Sequence, residues 1–219
     1  LFDVHSAARR HAARIGEAWP RVSDIWRGKQ LEYSWIYAGL GAHMRFEDAT
    51  REALQSALTV CKLDPALASQ ILPSYLALDT FEEVASVLSA LKAANGARLA
   101  ILSNGDPDML TELVAASNLP NTFDAVISVA EVGIFTPSAT VYALVTARFA
   151  VKPSDVTLMS SNRWDIAGAR TFGWPDLIAE RKRSSAPVRL VQKESPTGRA
   201  RQISARMMGK ARITALRER

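Results

Sequence analysis

From Arg98 onward the sequence alternates short apolar runs with helical stretches, and this alternation constrains the fold more than any other feature. Arg98 to Leu102, Phe123 to Ile127 and Val156 to Met159 are strand-length runs. Each is followed by a stretch with helical character: Pro107 to Asn118, Pro137 to Phe149 and Trp164 to Phe172. Such alternation predicts βαβ units and an α/β fold with a Rossmann-like parallel sheet. The runs end in Ser103-Asn104-Gly105, Ser128-Val129-Ala130-Glu131 and Ser160-Ser161-Asn162. Ligands of open α/β sheets sit at the carboxyl ends of strands, so the first and third loops are where chemistry is expected.

The residues before Asn95 read as helix after helix, with no strand. Val22, Trp26, Tyr33, Tyr37 and Leu40 recur at helical spacing, widened by Ile25 and Ile36 and broken by the polar Gln30. Further helices are expected from Phe46 to Leu63 and from Pro65 to Leu78, the latter disturbed by Pro73. Thr80-Phe81-Glu82-Glu83 has the form of a capping box ahead of Val84, Val87, Leu88 and Leu91, and Gly96 is placed to end that helix. The expected division is a helical cap over residues 4–80, a core over 81–180 and a basic, irregular tail over 181–219.

That tail carries the excess charge. Residues 1–180 hold 15 Lys/Arg against 20 Asp/Glu, whereas 181–219 hold 12 against 2. A basic arm suits an anionic surface or nucleic acid, but it has no aromatic residue for base stacking. Cys61 is the only cysteine, so an intrachain disulfide is excluded and a small buried hydrophobe is the expected role. No run approaches the roughly 18 apolar residues of a membrane span, and Leu1-Phe2-Asp3-Val4-His5 lacks a signal-peptide layout. A cytoplasmic protein is expected.

Ser103, Asn104 and Gly105 can bind an anion through a hydroxyl, an amide and backbone N–H groups, beside the positive end of the following helix. The same residues also suit an ordinary turn. In the second loop Asp165 falls where a helix begins, either stabilising its dipole or, with Ser160 and Asn162, orienting water or a catalytic group. His5, His11 and His43 all lie far from these loops in sequence, so a Ser-His-Asp arrangement has no support.

Three separated segments together resemble the L-2-haloacid dehalogenases of the haloacid dehalogenase superfamily. They are Trp26-Arg27-Gly28-Lys29-Gln30-Leu31-Glu32-Tyr33-Ser34-Trp35, Leu102-Ser103-Asn104-Gly105 and Ser160-Ser161-Asn162-Arg163-Trp164-Asp165. The opening Leu1-Phe2-Asp3-Val4-His5-Ser6 adds to the match, which spans about residues 1 to 174. The resemblance implies a Rossmann-like core with an inserted helical cap, and hydrolysis of short-chain L-2-haloalkanoic acids to D-2-hydroxy acids. In that family an aspartate displaces halide at C2 with inversion, and water then hydrolyses the ester. Carried over residue by residue, Arg27 faces halide or carboxylate and Asn104 helps receive halide. Ser103 binds carboxylate, Ser160 and Asn162 position catalytic groups or water, and Asp165 completes the hydrolytic network. Leu31, Phe46 and Trp164 match the apolar pocket and Tyr142 a tyrosine near it, although core packing explains all four equally well. The family implies no cofactor and no metal, a homodimer through cap helices, and a small 2-haloacid and halide as ligands.

The sequence departs from the family in three places. The nucleophile of the family belongs to an Asp-X-Tyr-Gly-Thr strand end immediately ahead of the residues matching Leu1-Phe2, so either it and the central strand lie upstream of residue 1 or the protein lacks its nucleophile; Asp3 matches a later position. Thr136, in Phe135-Thr136-Pro137-Ser138, stands where the family has a lysine that neutralises negative charge. The match ends near Trp174-Pro175-Asp176, where a frame change or a genuine basic extension would each produce the Arg-rich tail. Two other readings remain open: a magnesium-dependent phosphatase of the superfamily, for which the loops hold few carboxylates, and an inactive relative serving as a binding module.

Overall fold

Leu99, Ile101 and Leu102 of the first apolar run are buried on both sides of one strand, which puts that strand in the middle of the molecule. In a computed structural model, which describes residues 1–95, 97–119, 121–175, 178–180, 189–191 and 213–216, the elements run as follows. A short strand β1 (Phe2–Asp3) leads into helices α1 (Ser6–Arg9), α2 (Ala12–Ile15), α3 (Trp19–Leu40), α4 (Phe46–Val60) and α5 (Ala68–Ile71). A 3-10 stretch, Leu72–Ala77, precedes β2 (Asp79–Thr80). Then come α6 (Val84–Asn95), β3 (Arg98–Ser103), α7 (Pro107–Ala116), β4 (Ala125–Ser128), α8 (Ala139–Phe149), β5 (Val156–Met159) and α9 (Arg163–Phe172). Three short strands close the series: β6 (Ile178–Glu180), β7 (Arg189–Val191) and β8 (Ile213–Leu216).

The main sheet has the order β4-β3-β8-β5. β3 and β4 are parallel, with Ala100 opposite Ala125 and Ser103 opposite Ser128. β8 runs antiparallel to both β3 and β5, so β3 and β5 share one direction. The three strands expected from the apolar runs are thus mutually parallel, as the Rossmann-like core requires, and an antiparallel β8 lies between β3 and β5. Within 181–219 the described residues are those of β7 and β8. The nucleic-acid contact suggested for that basic segment otherwise lies outside the described residues.

Side chains alternate across a strand, and β3 uses both faces. Leu99 and Ile101 join a cluster with Trp26, Leu54, Leu58, Ile71 and Leu88, tying the helical layer to the sheet. Leu102 instead packs with Ile127, Leu158, Val141 and Tyr142 under α8 and α9. Within the layer, α3 lies on α4, where Ala53 and Ala57 are fully buried and the Trp26 indole donates to the Thr50 carbonyl at 2.8 Å.

Two expectations about the first half need correction. β1 and β2 form a two-residue antiparallel ribbon, Phe2 opposite Thr80 and Asp3 opposite Asp79, in a region read as strand-free. The capping box does not form: Thr80 belongs to β2, its hydroxyl donates to Asn118 Oδ1 at 3.1 Å, and the helix begins at Val84. Gly96, assigned to end that helix, lies outside the described residues.

Candidate active site

The loop after β3 is tied down on three sides. Ser103 Oγ accepts the Gly105 N–H at 3.1 Å, and the Ser128 hydroxyl donates to the Gly105 carbonyl at 2.6 Å. Asp106, at the start of α7, turns its carboxylate to the helical layer and accepts the Glu47 N–H of α4 at 2.8 Å. One side chain thereby satisfies an orphan donor of a helix on the other side of the cleft. Arg45 adds ion pairs to Asp106 (3.7 Å) and Asp108 (2.7 Å), and its hydrogen bond holds the Asp108 carboxyl below the usual range.

A cavity of about 100 Å³ opens between this loop and the helical layer. Arg27 and Leu31 of α3, Phe46 of α4, Ser103 and Asn104 of the first loop, and Asn162 and Trp164 of the third all line it. Its remaining walls are largely apolar, with Met109 and Leu110 on the core side, Phe2 from β1 and Val4 just after it. Among the described lining residues Arg27 is the only cation, and none is an aspartate or glutamate. Phe46 meets Phe135 edge-on at 6.1 Å, and Trp35 of α3 meets Trp164 edge-on at 5.6 Å.

Ser160, Asp165 and Tyr142 stand behind that wall. Ser160 is buried, and its Oγ accepts the Asn162 N–H at 3.1 Å. Asp165 lies in the first turn of α9, fully buried, where the Tyr142 hydroxyl donates to its Oδ1 (2.9 Å) and faces its carbonyl (3.1 Å). Tyr142, expected near substrate, is wholly inside the core and grips Asp165 instead.

Three contributions escaped the sequence reading. Gln30, taken as a polar break in an apolar stripe, is fully buried. Its Oε1 accepts from Arg27 Nη1 (2.6 Å) and the Tyr75 hydroxyl (3.0 Å), while its Nε2 donates to Thr50 Oγ1 (2.7 Å). The signal was present, because an amide on the buried face of a helix needs partners there. Tyr75, a further lining residue, had no such signal. Thr136, noted only as a missing cation, donates both its N–H (3.2 Å) and its hydroxyl (3.0 Å) to Asn104 Oδ1.

Among the described residues no group of three or more His, Cys, Asp or Glu side chains is gathered, and no helix is long and apolar enough to cross a membrane. The family profile of haloacid dehalogenase-like hydrolases matches residues 3–173. (S)-2-haloacid dehalogenase 1 of Pseudomonas sp. strain CBS-3 is 41% identical, over 80% of this chain and 77% of that protein. (S)-2-haloacid dehalogenase 4A of Burkholderia cepacia is 36% identical, over 80% of this chain and 76% of its own length. The structure of L-2-haloacid dehalogenase from Xanthobacter autotrophicus with chloropropionic acid covalently bound has a TM-score of 0.75 at 39% identity, covering 84% of this chain and 74% of that one. The chain belongs to the haloacid dehalogenase-like hydrolase family.

Proposed function

We propose that the protein is a 2-haloacid dehalogenase that hydrolyses short-chain L-2-haloalkanoic acids to halide and the D-2-hydroxy acid. The observation that carries this reading is the cavity itself, where Arg27 is the one cation among the described lining residues and faces a largely apolar chamber that also presents the Ser103 and Asn104 side chains. A 2-haloacid needs that combination: a cation for its carboxylate or departing halide, polar donors for the other anion, and an apolar wall for its alkyl group.

The reaction has two steps. A carboxylate displaces halide at C2 with inversion and forms an ester; water then attacks the ester carbonyl, releasing the hydroxy acid and a proton and restoring the carboxylate. No described lining residue supplies the carboxylate. Phe2 and Val4 already line the cavity, so an aspartate just ahead of Leu1, where the resemblance places the nucleophile, would arrive at this chamber. Asp165, held by Tyr142, orients the hydrolytic water through the Ser160–Asn162 loop.

The test is halide release from L-2-chloropropionate by a chain extended to include that upstream segment. Release with inversion, unchanged by a chelator and reduced about 100-fold by Arg27→Ala, is expected from the loss of the one cation among the described residues lining the cavity. Absence of release from the extended chain overturns the reading. We further propose that the working unit is a homodimer formed through the exposed end of α3.

A further inference from the structure

Asn104 is 9% exposed, lines the cavity, and uses a single atom, Oδ1, to meet two donors of Thr136. The orientation of an Asn amide is normally settled by its neighbours, and here the neighbours leave one choice. A backbone N–H only donates, so the atom facing Thr136 N is oxygen. The Thr136 hydroxyl, itself fully buried, donates to the same oxygen. Both lone pairs of Oδ1 are thereby engaged, and Nδ2, with its two N–H donors, finds no partner among the described residues.

We infer that Thr136 is a positioning residue: by clamping Oδ1 it locks the Asn104 amide with its donor end toward the cavity, so that an uncharged group receives the anion there. The inference rests on the dehalogenase reading for the identity of that anion, a halide. It gives Thr136 a task unlike charge neutralisation. Losing the hydroxyl leaves one backbone bond holding the amide, and a turned amide would present its oxygen, which repels an anion. Thr136→Val keeps the side-chain shape and removes the hydroxyl donor, whereas Thr136→Ser keeps it.

The experiment is a bromide titration of the ¹⁵N-labelled chain, following the Asn104 side-chain NH2 resonance, which Asn104→Asp identifies by its disappearance. In the unmodified chain the resonance should move with saturable dependence on bromide. Thr136→Ser should stay within about twofold of that affinity, and Thr136→Val should bind about fivefold more weakly, the effect of one neutral hydrogen bond. Thermal melting of each variant separates loss of fold from loss of the clamp. Undiminished bromide affinity in a folded Thr136→Val overturns the inference, as does a resonance in the unmodified chain that ignores bromide. A Thr136-dependent bromide shift in a protein that releases no halide from 2-haloacids sustains the clamp while the dehalogenase reading falls.

Discussion

Gly168 shows how closely the Asp165 support is packed. A Cβ at this position would lie 2.5 Å from the Tyr142 hydroxyl and 2.6 Å from Pro137 Cβ. Alanine in a helix ordinarily gains about 0.5–1 kcal/mol over glycine, but overpacking a core costs about 1–3 kcal/mol, and here the obstacle is a ring fixed by its bond to Asp165. Gly168→Ala is therefore expected to destabilise the protein, lowering Tm by about 3 °C or more, and to depress halide release further by displacing Tyr142. Differential scanning calorimetry checks the first effect; an unchanged or raised Tm would mean that α9 shifts freely. At this scale the sequence made some groups legible and hid others. Arg27 was marked by the family resemblance, and Ser103, Asn104 and Asn162 by their place in loops after strands. Tyr75 and the gripping role of Tyr142 depend on packing between distant segments, which periodicity does not reveal.

Elements meet across the cleft through a few charged side chains, and these were the least legible features. Asp106 sits at the N-cap position of α7 but makes no side-chain cap bond there, and its carboxylate serves α4 instead. The ribbon β1–β2 has two residues in each strand, too few to alternate visibly. It is reinforced by Arg9, which bonds Asp3 at 2.7 Å and Asp79 at 2.9 Å, and by Arg10, which also bonds Asp79. Partial burial pushes the Asp79 carboxyl up, but the two guanidinium groups prevail and hold it below its ordinary value of 3.8. A depressed folded pKa contributes stability that is full above the unfolded value and lost as pH falls through the folded one. Asp79→Asn should thus lower Tm near neutrality by only about 2 °C, since the pair is solvent-screened. The gap between variant and parent should close as pH falls below 3.8. A gap that stays constant from neutral to acid pH would show that the ribbon does not depend on this charge.

Across the whole molecule, the alternation after Arg98 disclosed the three parallel strands and the helices between them, but not their spatial order. β8 lies between β3 and β5, the slot that the resemblance reserves for a strand ahead of residue 1. A basic, low-periodicity segment carries no sequence sign that four of its residues pair there. Ile36 and Leu40 are one helical turn apart on α3, 49% and 72% exposed. Single exposed apolar residues need no explanation. A paired set on the helix that also carries Arg27 and Leu31 is a candidate for burial against a second copy, each of the two side chains contributing about 1.5–3 kcal/mol when fully covered. Because a two-fold interface is self-complementary, one charge placed at its centre is introduced twice and faces itself or its apolar neighbours. Light scattering should give twice the chain mass for the unmodified protein and the single-chain mass for Leu40→Glu, with the fold retained by circular dichroism. A monomeric unmodified protein at micromolar concentration would remove the dimer and leave the α3 end as ordinary exposed surface.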